Sequence, residues 1–243
     1  DDLTNDSESS GMAYLVFFLC QIAFLTVFVG EFWIDWFLTT KGNEYFCDID
    51  PEFITDRFNL TGLNTDVPRL SQAIEIITDS FEDVLSNEDR EKLEKSARHL
   101  YGLVHARYIL TSRGLQKMLE KYRNCDFGRC PRVHCQLHPL LPVGLSDIPR
   151  HNAVKLYCAK CEDIYSPKLS RHATIDGAYF GTSFPAMFFQ VFPTIIPTKP
   201  KERYVPKIFG FKLHDHAKLA RWQENQREEM EKRVREGIIE KPK

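Results

Sequence analysis

Cys130-Pro-Arg-Val-His-Cys135 and Cys158-Ala-Lys-Cys161, separated by 22 residues, decide how this chain is read. Thiolates two to four residues apart on a tight turn grip one face of a tetrahedral zinc, and a second pair closes the other face. Four sulfurs leave no open position, so the metal of such a site holds chain segments together and activates no water. Two disulfides would suit a secreted protein, yet paired knuckles in a chain of 243 residues with 27% charged residues fit zinc better. A redox C-x-x-C should follow a strand and open a helix. Here residues 154–157 lead into Cys158 and 164–167 follow Cys161, which reads as a hairpin.

On the N-terminal side the patterning is helical. Trp33, Trp36 and Phe37 have helical spacing, and Asp50-Pro51 reads as an N-cap with proline at the first helical position, placing Phe53, Ile54 and Phe58 on one face. Pro68 starts a helix carrying Leu70, Ala73, Ile74 and Ile77. Ser86-Asn-Glu-Asp89 resembles a capping box before the stripe Leu93, Ala97, Leu100, Val104 and Tyr108. Thr111 caps a last helix with Leu115, Met118, Leu119 and Tyr122.

The character changes at Asn124. Runs 154–157, 187–192 and 204–213 are rich in aromatic and β-branched residues and read as strands, whereas 216–236 is charged and reads as a solvated helix or tail. The expected fold class is α+β: an all-helical N-terminal domain, then a four-cysteine zinc ribbon and a C-terminal β-hairpin tail. The expected divisions are an acidic tail with an apolar extension (1–30), a helical domain (31–124), a zinc ribbon (125–193) and a hairpin with a charged tail (194–243).

Seven cysteines, three of them outside the knuckles, favour a reducing compartment, where the sequon Asn59-Leu-Thr61 would stay unused. The net charge of −2 hides an asymmetry. Residues 42–94 hold 14 acidic and 4 basic side chains, and residues 98–171 hold 13 basic and 5 acidic ones. The acidic stretch attracts basic partners and repels nucleic acid, or else it merely solvates helix surfaces. Residues 13–29 carry no charge and could be a short membrane span, a packed helix or an intervening sequence foreign to the mature chain; no basic region precedes them as in a signal peptide. The remainder reads as a soluble zinc protein, which argues against the membrane.

No motif here carries catalysis. Asp126-Phe-Gly128 matches the kinase magnesium triplet, but the glycine-rich loop, the strand lysine and the His-Arg-Asp loop are absent upstream. His214-Asp-His216 reads as a solvated cluster. The functional signal is therefore a surface: Phe209-Gly-Phe211 alternates aromatic side chains on a β segment near Lys207 and Lys212, and reads either as two core aromatics or as an exposed hairpin offering aromatic anchors to a partner.

Seven stretches between Trp33 and His214 resemble the regulatory beta subunits of casein kinase II. They are Trp33-Ile-Asp-Trp-Phe37, Asp56-Arg-Phe-Asn-Leu-Thr-Gly-Leu-Asn64, Tyr101-Gly-Leu-Val-His-Ala-Arg-Tyr-Ile-Leu-Thr111, the first knuckle, Gly144-Leu-Ser-Asp-Ile-Pro149, Asp176-Gly-Ala-Tyr-Phe-Gly-Thr182 and Gly210-Phe-Lys212. The resemblance implies a non-catalytic regulator, found in nucleus and cytoplasm, that dimerises through the zinc ribbon, binds two catalytic subunits and sets substrate choice. It implies structural zinc, one per chain, on Cys130, Cys135, Cys158 and Cys161. Phe209, Phe211, Lys212 and Met187 would contact the catalytic subunit, and Pro131, Val133 and Ile164 the second copy. Asp79, Glu82, Asp83, Glu88 and Asp89 match loosely an acidic loop that binds polyamines or basic substrates. Ser7, Ser9 and Ser10 match in kind a phosphorylated start. A zinc-ribbon nucleic-acid-binding or transcription factor is the competing reading, resting on Arg129, Arg132, Arg150, Lys155 and Lys160 around the knuckles.

Overall fold

The computed structural model describes residues 32–236 except 84, 201–204, 206 and 213. Ser7, Ser9, Ser10 and the apolar run 13–29 lie outside the described residues. No described helix is long and apolar enough to cross a membrane. The chain divides into two units, 1–199 and 200–243.

The first unit runs through α1 (Trp33–Thr39), α2 (Pro51–Thr55), α3 (Leu70–Ile77), α4 (Asn87–Tyr108) and α5 (Ser112–Asn124). It continues with β1 (Leu141–Val143), β2 (Lys155–Cys158), β3 (Asp163–Tyr165) and α6 (Phe184–Val191). Side-chain oxygens at the N-termini of α4 and α5 take backbone N–H groups that no helical carbonyl can reach. Ser86 Oγ accepts from the Asp89 N–H at 3.2 Å, and Thr111 Oγ1 accepts from the Gly114 N–H at 3.1 Å. Leu93, Ala97, Leu100, Val104 and Tyr108 of α4 are all buried, as their spacing predicts.

Four local expectations differ from the structure. Asp50 makes no capping bond to α2; its carboxylate pairs with Arg113 at 2.9 Å and Lys117 at 3.1 Å, two cations of α5 that outcompete a neutral N–H. Phe58 lies beyond the end of α2 and is 83% exposed. α3 begins at Leu70 and not at Pro68, because Arg69 takes the left-handed conformation. Residues 187–192, read as a strand, belong mostly to α6, where Phe184, Phe188 and Phe192 recur every fourth residue with ring centroids 5.7 and 5.3 Å apart.

One continuous set of buried side chains joins the helices to the strand region, from Trp33, Phe37 and Tyr101 to Phe127, Leu141 and Leu156. α4 meets the turn at 177–179 with almost no gap, since a Cβ on Gly102 would lie 2.5 Å from the Tyr179 ring. His99 and His105, on the same helix, bond the Tyr179 hydroxyl at 2.9 Å and its carbonyl at 2.8 Å. The strands form an antiparallel sheet in the order β1-β2-β3, with Leu141 opposite Tyr157 and Cys158 opposite Asp163.

The second unit holds the hairpin β4 (Lys207–Ile208) and β5 (Phe211–Lys212), then α7 (Asp215–Arg235). Its turn places Phe209 at φ +50° and Gly210 at φ +87°, the signature of a type I′ connection. Phe209 therefore sits at the tip and does not alternate with Phe211 along one strand. His214 closes the α7 N-terminus, its Nδ1 accepting from the His216 N–H at 3.2 Å.

Candidate metal centre

Cys130 follows a turn made by Gly128 at φ +93° and donates its backbone N–H to the His138 carbonyl at 2.8 Å. Cys135 ends a short helical turn, and Gln136 and Leu137 after it both adopt positive φ. Cys158 is the last residue of β2, and Glu162, just after Cys161, is again left-handed and donates to the Cys158 carbonyl at 2.8 Å. Two reversals of direction thus aim four sulfurs at one point.

All four Sγ atoms lie within 4.8 Å of one another, with Cys130–Cys161 at 3.8 Å and Cys135–Cys158 at 4.0 Å. A tetrahedron with metal–sulfur bonds of about 2.3 Å has edges of about 3.8 Å. The described cysteines are free thiols, and no disulfide links the knuckles. Three of the four are buried. Burial, with the neighbouring thiols, pushes Cys135 up and holds Cys158 at about 12. For Cys161 burial acts upward as well, but the Tyr165 hydroxyl at 3.1 Å and the Asp163 backbone outweigh it and the thiol is lowered. Such a nest holds several negative sulfurs when a cation compensates them, so the cluster can hold a metal ion. Arg132 pairs with Asp163 at 2.7 Å and Lys160 reaches Gln136 at 3.2 Å, tying one knuckle to the other.

Beside this centre Pro131 is exposed, Val133 is 87% exposed and Ile164 is half exposed. Leu137 is also exposed, an apolar side chain next to a ligand turn that the sequence reading passed over. Met187 lies on α6 and is partly exposed, while Phe209 and Phe211 are 97% and 78% exposed in the second unit, with Lys212 opposite Lys207.

The acidic residues serve different ends. Asp79 accepts the Trp33 N–H at 3.0 Å and so covers the start of α1; Asp89 pairs with Ser86 and Arg69, and Glu88 with Lys92. Glu82 and Asp83 are exposed. Of the basic residues near the knuckles, Arg129 donates to the Leu137 carbonyl and Lys155 to Ser166. Arg150 lines a separate cleft.

A profile of the casein kinase II regulatory subunit family matches residues 32–212. The chain is similar to casein kinase II subunit beta-2 of Neurospora crassa, 57% identical over 240 residues, which covers 99% of this chain and 78% of that protein. It is similar to the Schizosaccharomyces pombe subunit beta, 57% identical over 84% of this chain and 89% of the relative. The Saccharomyces cerevisiae subunit beta′ is 54% identical over 93% of this chain and 84% of the relative.

Proposed function

The chain belongs to the casein kinase II regulatory subunit family, and from that premise we propose that it is a zinc-bearing homodimer that holds two kinase catalytic subunits and tunes their substrate choice. The family is regulatory and non-catalytic. Within it, the observation that carries the proposal is the four-cysteine cluster, with sulfur separations of 3.8 and 4.0 Å. A single tetrahedral ion suits those separations, and an all-thiolate donor set selects zinc among common divalent ions. An iron–sulfur cluster would hold its four thiolates farther apart.

Zinc so bound would rigidify the knuckles and present Val133, Leu137, Pro131 and Ile164 to a second copy. Apolar side chains this exposed gain by being covered, and a two-fold contact covers both sets at once. The hairpin would dock the catalytic subunit through Phe209 and Phe211, with Lys212 and Met187 beside them. Aromatic anchors entering a partner pocket are worth about 2 kcal/mol or more each. Glu82 and Asp83 are the carboxylates best placed to meet basic substrates or polyamines, because Asp79, Glu88 and Asp89 already have partners. We place the protein in nucleus and cytoplasm, where such thiols stay reduced. Nucleic-acid binding is not favoured, since Arg129, Arg132 and Lys160 brace the turns that carry the cysteines and Lys155 is engaged with Ser166.

Native mass spectrometry after co-expression with a catalytic subunit tests this reading. The expected species has two copies of this chain, two zinc ions and two catalytic chains. Cys158→Ser should lose metal and assembly together, and Phe211→Ala should lose the catalytic subunit while keeping the dimer. A metal-free dimer of the first variant, or undiminished co-purification of the second, defeats the proposal.

A further inference from the structure

Away from the cysteines, the first unit contains a cleft of about 610 Å³ into which cations from four separate parts of the chain converge. Lys41 comes from the turn after α1, Arg98 from α4, and Arg150 and Arg171 from two loops. Two of the four are compensated. Arg98 pairs with Glu94 at 3.1 Å and lies over the Trp36 ring, and Arg171 pairs with Glu44 at 3.0 Å. Lys41 and the Arg150 guanidinium have no ion pair or side-chain hydrogen bond among the described residues. The carboxylate that lines the cleft, Asp176, accepts backbone N–H groups from Arg150 and Ala178.

The backbone at Arg150 is the second observation. Its φ is +63°, a conformation suited to glycine, asparagine or aspartate and disfavoured for a long side chain. The surrounding loop over-determines it. Asp176 holds the Arg150 N–H, Gly177 N–H bonds the Asn152 carbonyl at 2.8 Å, and Val154 N–H bonds the Ile175 carbonyl at 2.8 Å. Backbone strain held by its surroundings points to a functional position, and here it sets an arginine at the rim of a cleft with surplus positive charge.

From this we infer that the cleft binds a phosphoryl group carried on a peptide, independently of the reading above. The planar forks of arginine match phosphate oxygens in pairs, and Lys41 and Arg150, neither held in an ion pair among the described residues and together outweighing the one lining carboxylate Asp176, leave the cleft net positive. A cleft this large exceeds a bare phosphate ion several-fold, leaving room for flanking residues whose backbone can meet Asn43, Asn152 and Thr174.

The test is fluorescence anisotropy of the full chain with a labelled phosphoserine peptide, the same peptide bearing unmodified serine, and inorganic phosphate as competitor. The phosphopeptide should bind at least ~10-fold more tightly than its unmodified form, and more weakly as salt rises. Phosphate alone should compete only at far higher concentration. Lys41→Ala and Arg150→Gly should each weaken binding about 10-fold. Because Arg150→Gly relieves the left-handed strain, its melting temperature should hold or rise, which separates lost binding from lost folding. Equal binding of the two peptides, unchanged affinity in both variants, or phosphate competing as tightly as the peptide would each overturn the inference.

Discussion

His105 lies fully buried with both ring nitrogens bonded. The Cys47 N–H donates to Nε2 at 3.2 Å, so the proton sits on Nδ1 and is donated to the Tyr179 carbonyl at 2.8 Å. Burial holds this imidazole neutral and lowers its pKa to about 4, against 6.5 for an unfolded histidine. Above pH 6.5 neither state binds the proton and the stability is complete. Between 6.5 and 4 the unfolded chain takes up a proton that the folded one refuses, so stability falls by about 3 kcal/mol in all. His99 and His138, lowered mainly by burial, act in the same direction. Glu44 is different: burial would raise it, but hydrogen bonds from backbone N–H groups and His172 outweigh that and lower it to about 2. Its contribution is present above pH 4.5 and is lost as pH falls through 2, so it adds nothing to the loss above pH 5. We predict that urea unfolding free energy drops steadily between pH 7 and 5 and that the His105 ring protons show no titration in that window by NMR. A ring shift with a midpoint near 6.5 would refute the assignment.

At the scale of elements, the β4–β5 turn combines the proposed docking role with strain. Phe209 stands where a type I′ turn asks for asparagine or glycine, and its φ of +50° costs roughly 1 kcal/mol. Phe209→Gly should therefore order the hairpin, seen as stronger cross-strand contacts between Ile208 and Phe211 by NMR, while weakening the proposed kinase contact. A variant that binds the catalytic subunit more tightly would show that the ring is not an anchor. The helices were legible because local chemistry announces them: Ser86 and Thr111 cap as their sequence context requires, and the α4 stripe is regular over 16 residues from Leu93 to Tyr108. α6 was not, because eight residues rich in phenylalanine satisfy strand preferences equally well. The recurrence of Phe184, Phe188 and Phe192 was the available signal. The clustering of the four cysteines could be read from spacing alone, whereas the left-handed turns at Gln136, Leu137 and Glu162 could not, since none is glycine. The basic cleft was invisible for a different reason: residues 41, 98, 150 and 171 meet only through tertiary packing.

At the scale of the whole molecule, a metal held by the cysteine cluster, as proposed, would influence more than its own turns. Structural zinc can supply ~10 kcal/mol of folding free energy, comparable with the entire stability of an ordinary domain at about 5–15 kcal/mol. If the cysteine region folded alone, removing the ion would melt it and leave the helices intact. The buried side chains argue otherwise. Tyr122 of α5 bonds His138, between the knuckles, at 2.9 Å, and its ring packs on Phe188 of α6 at 5.4 Å. Tyr45 meets Phe127 at 5.6 Å, and the set that contains them runs without a break from Trp33 to Phe188. Melting the cysteine region would strip cover from α5 and from the loop that holds Tyr45, exposing apolar side chains on the helical side. We therefore predict that stripping the metal with a strong chelator under mildly acidic conditions lowers helical circular dichroism, not merely the signal of the strands. The loss should follow zinc release measured with a colorimetric indicator in one transition. Complete metal release with an unchanged helical signal would show instead that the helices fold as an independent body and that the continuous core is not continuous in energy.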